Sequence, residues 1–206
     1  MIKAVFFDYD GVLTTDKTGS LTTTRYLSQA IGVELSEVKA AFARFNEDLT
    51  LGRTTHAQIW ETICHELRME LPISLLREAF ESTPMNAGMF SLARQLRANH
   101  SVGIITDNKK DRIDHLKRIQ KLAALFSPIV VSAEIGANKD GREIFLYALS
   151  RASVLPEESV FIDNNRDNLI APNALGIKTV FHDDETNDIV ALANELNTLG
   201  VVASNA

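Results

Sequence analysis

A single cysteine, Cys64, is all the thiol that the 206-residue chain contains. No internal disulfide can form, and a zinc site built from thiolates is excluded. A reducing compartment fits that usage, so the expectation is a cytoplasmic protein. Long apolar runs are missing too. The opening Met1–Asp8 has one basic residue and a short apolar run before its first acid, which is neither a signal peptide nor a membrane span. Positive charge is scarce: 21 basic side chains stand against 27 acidic ones, a net charge of −6. That field repels a phosphate backbone, so no nucleic acid is expected as partner, and a small anion needs a locally arranged positive site. The five histidines, His56, His65, His100, His115 and His182, lack the paired spacing of a metal site and are expected at the surface or at helix ends. There is no internal repeat and no low-complexity stretch. What remains is an ordinary globular composition, 45% hydrophobic and 23% charged, in a chain long enough for one domain or a core with a smaller insert.

Five short runs rich in β-branched and aromatic residues read as buried strands: Ile2–Phe7, Ser101–Thr106, Pro128–Ser132, Ser159–Ile162 and Lys178–Phe181. Amphipathic segments lie between the last four, for example Lys109–Ala124 and Arg142–Ser150. Strands alternating with helices predict an α/β fold with a doubly wound parallel sheet. The gap between the first two strands is different, because from about Thr14 to about Thr83 every pattern is helical. Leu35–Leu49 and Thr55–Met69 each carry an apolar face, the second with Trp60 and Cys64, and Thr54 or Thr55 is its N-cap. Roughly seventy residues of helix exceed what one crossover needs. The expected division is a core of residues 1–14 and 84–206 and a small helical insert of residues 15–83, joined near Thr14–Thr18 and Ser82–Gly88. The tail after Asn197 is expected to fray, and the acidic run Asp183–Glu185 to begin the last helix.

The polar residues that follow the strands carry the chemistry. Asp8-Tyr-Asp10-Gly11 comes directly after the first strand, at the end where open parallel sheets bind ligands. Residues two apart in extended chain face one side, and two close carboxylates call for a cation or a shared proton. One can attack phosphorus while its neighbour moves a proton. Taken alone, the pair reads equally well as a helix cap or a solvated loop. Thr106-Asp107-Asn108 closes the second strand before a helix, where a hydroxyl and free N–H groups suit a phosphate oxygen. Lys139 lies in the polar turn after the third strand and can supply positive charge. Asp163-Asn164-Asn165-Arg166-Asp167-Asn168 follows the fourth strand and offers oxygen ligands to a hard cation. A cap or a solvated loop explains each of these singly. Their order at four successive strand ends is the signal.

These residues resemble the motifs of the haloacid dehalogenase (HAD) superfamily, over nearly the whole chain. Asp8-Tyr-Asp10-Gly-Val-Leu-Thr14 is similar to the first motif, Ile-Ile-Thr106-Asp107 to the second and Lys139-Asp-Gly-Arg-Glu-Ile-Phe145 to the third. Phe161-Ile-Asp163-Asn164-Asn165-Arg-Asp-Asn168-Leu, followed by Ala174-Leu-Gly176-Ile, is similar to the fourth. The helical insert resembles the cap of the subgroup containing many small sugar-phosphate phosphatases. The resemblance implies a Rossmann-like core and hydrolysis of a small-molecule phosphate ester through an aspartyl-phosphate on Asp8. It makes Asp10 the general acid and base, with Thr106, the neighbouring Asp107 amide and Lys139 on the phosphate. Magnesium is implied at Asp8, the Asp10 carbonyl and the acidic cluster, with Asp163, Asn164 and Asp167 as candidates.

Two departures stand out. Members with a fourth motif of this shape carry two adjacent acids where this chain has Asp163-Asn164, so a weaker metal site is expected. The third motif lacks its usual prolines, which predicts a less rigid Lys139 loop. Dehalogenation uses the same attacking aspartate without the second acid, and a sugar-phosphate mutase uses the same groups. Both stay open, as does a degenerate phosphate-binding member. A receiver-like module is argued against by length and by the position of its phosphorylated aspartate. The insert's Arg44, Asn46, Glu47 and Arg53 are candidates for substrate contact. The identity of the phosphate ester and the oligomeric state, monomer or dimer, are left open.

Overall fold

A computed structural model describes residues 1–203. The five apolar runs form one parallel sheet: β1 Ala4–Phe7, β2 Ser101–Thr106, β3 Ile129–Val131, β4 Ser159–Asp163 and β5 Lys178–Phe181. Their order is β3-β2-β1-β4-β5, so the chain winds outward from β1 in one direction and then in the other. The central strand is buried at every position, as a parallel sheet covered on both faces requires. Alternation divides it between two clusters. Val5 and Phe7 pack with Ile104 and Ile162 against Met89, Leu116 and Leu192. Ala4 and Phe6 pack with Ile105 and Phe161 against Ile144, Phe145 and Ala148. The helices that cover these faces include α6 Ala87–Leu96, α7 Lys110–Ile119, α9 Glu143–Ala152 and α11 Ile189–Thr198, with short α8 Ser132–Ile135 and α10 Ile170–Leu175 following β3 and β4. The α/β doubly wound arrangement is therefore the one the strand pattern predicts.

Between β1 and α6 lie five helices: α1 Gly19–Ile31, α2 Leu35–Ala43, α3 Asn46–Thr50, α4 His56–Glu66 and α5 Ser74–Glu81. They share their own apolar cluster, built from Leu27, Val38, Phe42, Leu49, Ile59, Trp60, Ile63, Leu76 and Phe80. Thr55 caps α4 in a reciprocal capping box with Gln58. The single helix expected over Leu35–Leu49 is broken. The Phe45 N–H bonds the Phe42 carbonyl three residues back, which tightens the turn and sends α3 off toward α8. The helix expected over Lys109–Ala124 also stops early, at Ile119, before Lys121 takes a left-handed conformation (φ 52°).

Two further expectations are corrected near the C-terminus. The acidic run Asp183–Glu185 forms a turn, and α11 starts later, capped by the Asp188 carboxylate on the Ala191 N–H. The tail after Asn197 folds back: Gly200 at φ +79° lets the Val201 N–H reach the Leu196 carbonyl, and Val201 is buried in the core. Residues 204–206 lie outside the described ones. No helix among the described residues is long and apolar enough to cross a membrane.

The helical insert rests on the core through polar contacts that position its side of the site. An antiparallel bridge joins Thr14 to Met85 where the chain leaves and re-enters. The Ser132 hydroxyl donates to the Thr50 carbonyl at 2.7 Å, and Gly52, at φ +71°, passes so close to the Ala133 carbonyl that a Cβ would collide with it. His56, expected at a helix end, is there, but it is buried and its Nδ1 lies 2.7 Å from Asp111 Oδ1 on α7. His182 is likewise buried, with Nε2 3.1 Å from Asn187 Oδ1. Asp111 also accepts from the Ala57 N–H at 3.3 Å. Burial works against its charge, yet the His56 contact and the backbone donors outweigh it and hold the carboxyl below the ordinary aspartate range. A depressed carboxyl contributes stability that is present above the unfolded value, about 3.9, and is lost as pH falls through the folded one. Asp111→Ala is therefore expected to lower the unfolding free energy by roughly 1 kcal/mol at pH 7. Urea titrations should show that deficit shrinking below about pH 4; a pH-independent deficit would contradict the assignment.

Candidate active site

The site grows out of the carboxyl end of β1. Asp8 leaves the sheet with its N–H still on the Ile162 carbonyl, at 2.8 Å, and Tyr9–Leu13 then wrap into a tight buried turn. Gly11 sits in that turn at φ +79°, where a side chain would overlap the Asn164 amide. Glycine is thus needed both for the reversal and for the approach of the fourth strand's loop.

Lys139 organises one half of the site. Its Nζ lies 3.0 Å from Asp8 Oδ2 and 2.6 Å from Asp163 Oδ2, and the side chain is almost fully buried. The Asp107 carboxylate accepts from the Lys139 N–H at 3.1 Å, so a side chain ties down the loop that lacks the prolines. Burial opposes the lysine's charge, but Asp8, Asp163 and Asp107 together hold its ammonium above the ordinary lysine value. Asp163 has no exposed surface and is saturated. Besides Lys139 it accepts from the Asn165 N–H at 2.7 Å and the Asn168 amide at 3.1 Å. Asp8 is not saturated: its Oδ1 is buried without a partner. Burial pushes the Asp8 carboxyl up to about 8, Lys139 works against this, and Asp163 and Asp10 add to it.

The second half belongs to Asp10. Arg112, on the first turn of α7, grips it with two bonds, Nη2 to Oδ1 at 2.8 Å and Nη1 to Oδ2 at 2.9 Å. Asn108 donates a third to Oδ2, at 2.9 Å. The guanidinium also donates to Asn108 Oδ1 and to the Thr83 hydroxyl, and it fills the space beside Gly19 where a Cβ would sit. Arg112 therefore touches the core, the re-entry segment and the first helix of the insert at once. Sequence reasoning passed over both Asn108 and Arg112. The available signal was an arginine four residues after Asn108, beside Ile113 and four before Leu116 on the buried face of α7.

One cavity of about 960 Å³ lies between sheet and insert, and Asp8, Asp10, Thr106, Asp107, Lys139 and Asn164 all line it. Asp163 does not; it stands behind Lys139. Asp167 is exposed and away from the cavity. Of the insert residues singled out, Asn46 and Glu47 line the space. Arg44 pairs instead with Glu66, and Arg53 with Glu47 and Asp48.

Charge bookkeeping tests whether a cation suits this arrangement. Three buried carboxylates, Asp8, Asp10 and Asp163, face two buried cations, Lys139 and Arg112. The imbalance shows at Asp8, whose carboxyl is the raised one, whose Oδ1 has no partner, and which lines the same cavity as Asn164. A hard cation with oxygen ligands fits that vacancy of charge. No group of three His, Cys, Asp or Glu side chains converges on it among the described residues, so neutral oxygens would complete the coordination.

The Asp10–Arg112 pair makes a direct prediction. Arg112→Met leaves Asp10 buried without its counter-ion and is expected to destabilise the fold by about 3–5 kcal/mol. The double variant Arg112→Met/Asp10→Asn should recover most of that loss, because no lone buried charge remains. Strictly additive losses in urea unfolding would show the two groups to be uncoupled.

Comparison with known proteins accords with this geometry. The family model described as haloacid dehalogenase-like hydrolase matches residues 2–176. A predicted HAD-like family hydrolase from Porphyromonas gingivalis superposes with a TM-score of 0.74 at 21% identity, covering 95% of this chain and 98% of the other. The HAD family enzyme bt-2542 from Bacteroides thetaiotaomicron, in complex with magnesium and inorganic phosphate, gives 0.69 at 21% identity over 89% and 96%. The L-2-haloacid dehalogenase PA0810 gives 0.70 at 17% identity over 96% and 100%. At these identities the structural likeness speaks for the fold alone. The match of the family model over most of the chain establishes more: this protein belongs to the haloacid dehalogenase-like hydrolase family.

Proposed function

We propose that the protein hydrolyses a small-molecule phosphate monoester through an aspartyl-phosphate on Asp8, with Asp10 as general acid and then general base. The observation that carries the reading is the state of Asp8. It is buried and unpartnered at Oδ1, while Lys139 holds Oδ2 at 3.0 Å. A carboxyl oxygen left without a partner beside an anchored one, on a residue that lines the cavity, suits a nucleophile.

In this reading Asp8 Oδ1 forms a bond to phosphorus as the ester P–O bond breaks, and the departing alkoxide takes the Asp10 proton. Water then attacks phosphorus while Asp10 accepts a proton, releasing phosphate and restoring the Asp8 carboxylate. Thr106 and the Asp107 N–H would receive phosphate oxygens, and Lys139 would balance charge between them and Asp8. Asp8, the Asp10 carbonyl and Asn164 are the residues that would hold magnesium, with Asp163 acting through Lys139. Bound there, the ion would supply a charge sink for the transferring phosphoryl group. Asp10 has to leave its pair with Arg112 and Asn108 to reach a leaving group, so substrate binding and release of that pair would be linked. The helical insert covers the cavity as a cap, and its docked position would exclude water during transfer.

One observation favours a second reading. A carboxylate held by Arg112 and Asn108 at three bonds is not free to move protons, and dehalogenation needs no such acid. Displacement of halide by Asp8 from a 2-haloacid would use Asp8 and Lys139 alone.

The two readings separate in assays with p-nitrophenyl phosphate and with 2-chloropropionate. Phosphatase activity is expected, dependent on magnesium. Asp8→Asn should abolish it, and Asp10→Asn should lower kcat by about 10²–10⁴-fold. Halide release that needs neither magnesium nor Asp10 would replace the proposal with the second reading. Asn164→Asp adds a charged ligand and should lower the magnesium concentration that gives half-maximal activity; an unchanged value would remove Asn164 from the ligand set.

A further inference from the structure

The cavity is lined by a cation that the proposed chemistry does not use. Lys109 follows Thr106-Asp107-Asn108 directly and precedes α7. Its side chain crosses from the core to the insert, where Nζ donates to the Thr50 hydroxyl of α3 at 2.7 Å. It lines the same cavity as Asp8 and Lys139. The two buried cations there are committed, Lys139 to Asp8 and Asp163, and Arg112 to Asp10. Lys109 has no carboxylate within ion-pair distance among the described residues; the Thr50 hydroxyl is the one hydrogen-bond acceptor of its ammonium there.

A half-buried ammonium facing a single neutral hydroxyl is under-compensated. Burial, with some repulsion from Arg112, brings the Lys109 amine down to about 8 in spite of Asp10 and Asp107. Lys17 and Lys39 reach the same cavity, both exposed and both without an ion pair among the described residues. Three lysines without a carboxylate partner among the described residues line one cavity, a local reversal of sign in a chain of net charge −6. A phosphoryl group at Asp8 does not account for it, because Lys139 and the Thr106 turn already stand there.

We propose that Lys109 is the anchor of a second anion-binding subsite, so that the substrate is a phosphate ester whose leaving group carries another anionic group, a carboxylate or a second phosphate. The anion would displace the Thr50 hydroxyl or share the ammonium with it, and Lys17 and Lys39 would add longer-range attraction. The inference rests on the phosphatase reading and narrows its substrate class.

Three esters of similar length test it: propyl phosphate, 3-(phosphonooxy)propanoate and propane-1,3-diyl bisphosphate, each with magnesium. The wild-type kcat/KM should favour one or both charged esters over propyl phosphate by about tenfold or more. The preferred ester tells carboxylate from phosphate. Lys109→Met should collapse the preference chiefly through KM, while Lys109→Arg should retain much of it. A preference that survives Lys109→Met, or a wild-type preference for propyl phosphate, overturns the proposal. If no ester is turned over, the phosphatase reading fails and the subsite is read by calorimetry with glutarate and with propane-1,3-diyl bisphosphate. Binding to the wild type that Lys109→Met removes and Lys109→Arg keeps supports the subsite; equal binding, or none to any form, overturns it. Thermal unfolding of each variant distinguishes a lost contact from a lost fold.

Discussion

Three carboxylates buried at the carboxyl end of a sheet, with two cations to balance them, set the terms for this protein. Asp163 and Asp8 share Lys139, and Asp10 has Arg112. Charges in so dry a place repel strongly when like and attract strongly when unlike. The strand ends can therefore converge only if the lysine of the third loop and the arginine of α7 arrive with them. The one carboxyl oxygen left without a partner is Asp8 Oδ1. Among these five groups folding leaves a deficit of positive charge, which the proposed reaction would meet with a cation and an electrophilic phosphorus.

The two counter-ions are held differently. Lys139 is fixed by the core: Asp163 lies behind it, and Asp107 bonds its N–H. Arg112 is fixed by the meeting of core and insert, through Asn108, the Thr83 hydroxyl and the space left by Gly19. Asp8 is thus presented by the sheet alone, whereas the setting of Asp10 depends on where the insert lies. A proton-transfer group tied to the insert and a nucleophile tied to the sheet separate the two tasks of the proposed reaction. Burial of His56 against Asp111, on the residue next to Arg112, extends the same joint toward α4.

Much of the fold was legible because its signals are local. β1 is apolar at every position, β2 and β5 coincide with the runs read from the sequence, and Thr55 caps α4 as its hydroxyl and Gln58 allow. Helix ends were less legible. The break at Arg44–Phe45 and the stop at Ile119 occur inside continuous apolar patterns, and what the chain packs against decides them. The tail behaves likewise: Val201 looks dispensable in sequence, yet it fills the core once Gly200 turns the chain.

By itself the sequence determined that acids, a hydroxyl and a lysine would meet at the carboxyl ends of β1, β2 and β4 and in the loop after β3. Strand ends are fixed by apolar periodicity, and a parallel sheet aligns those ends on one side. Tertiary structure alone decided how the charges pair. Asp10 lies 102 residues from Arg112, and Lys139 lies 24 from Asp163. No local pattern records a partner at such separations. Asp163 became a support for Lys139 and Asp8 kept a free oxygen because electrostatic pairing in a dry interior depends on distances of a few ångströms. Those distances exist only after the insert and the loops have packed.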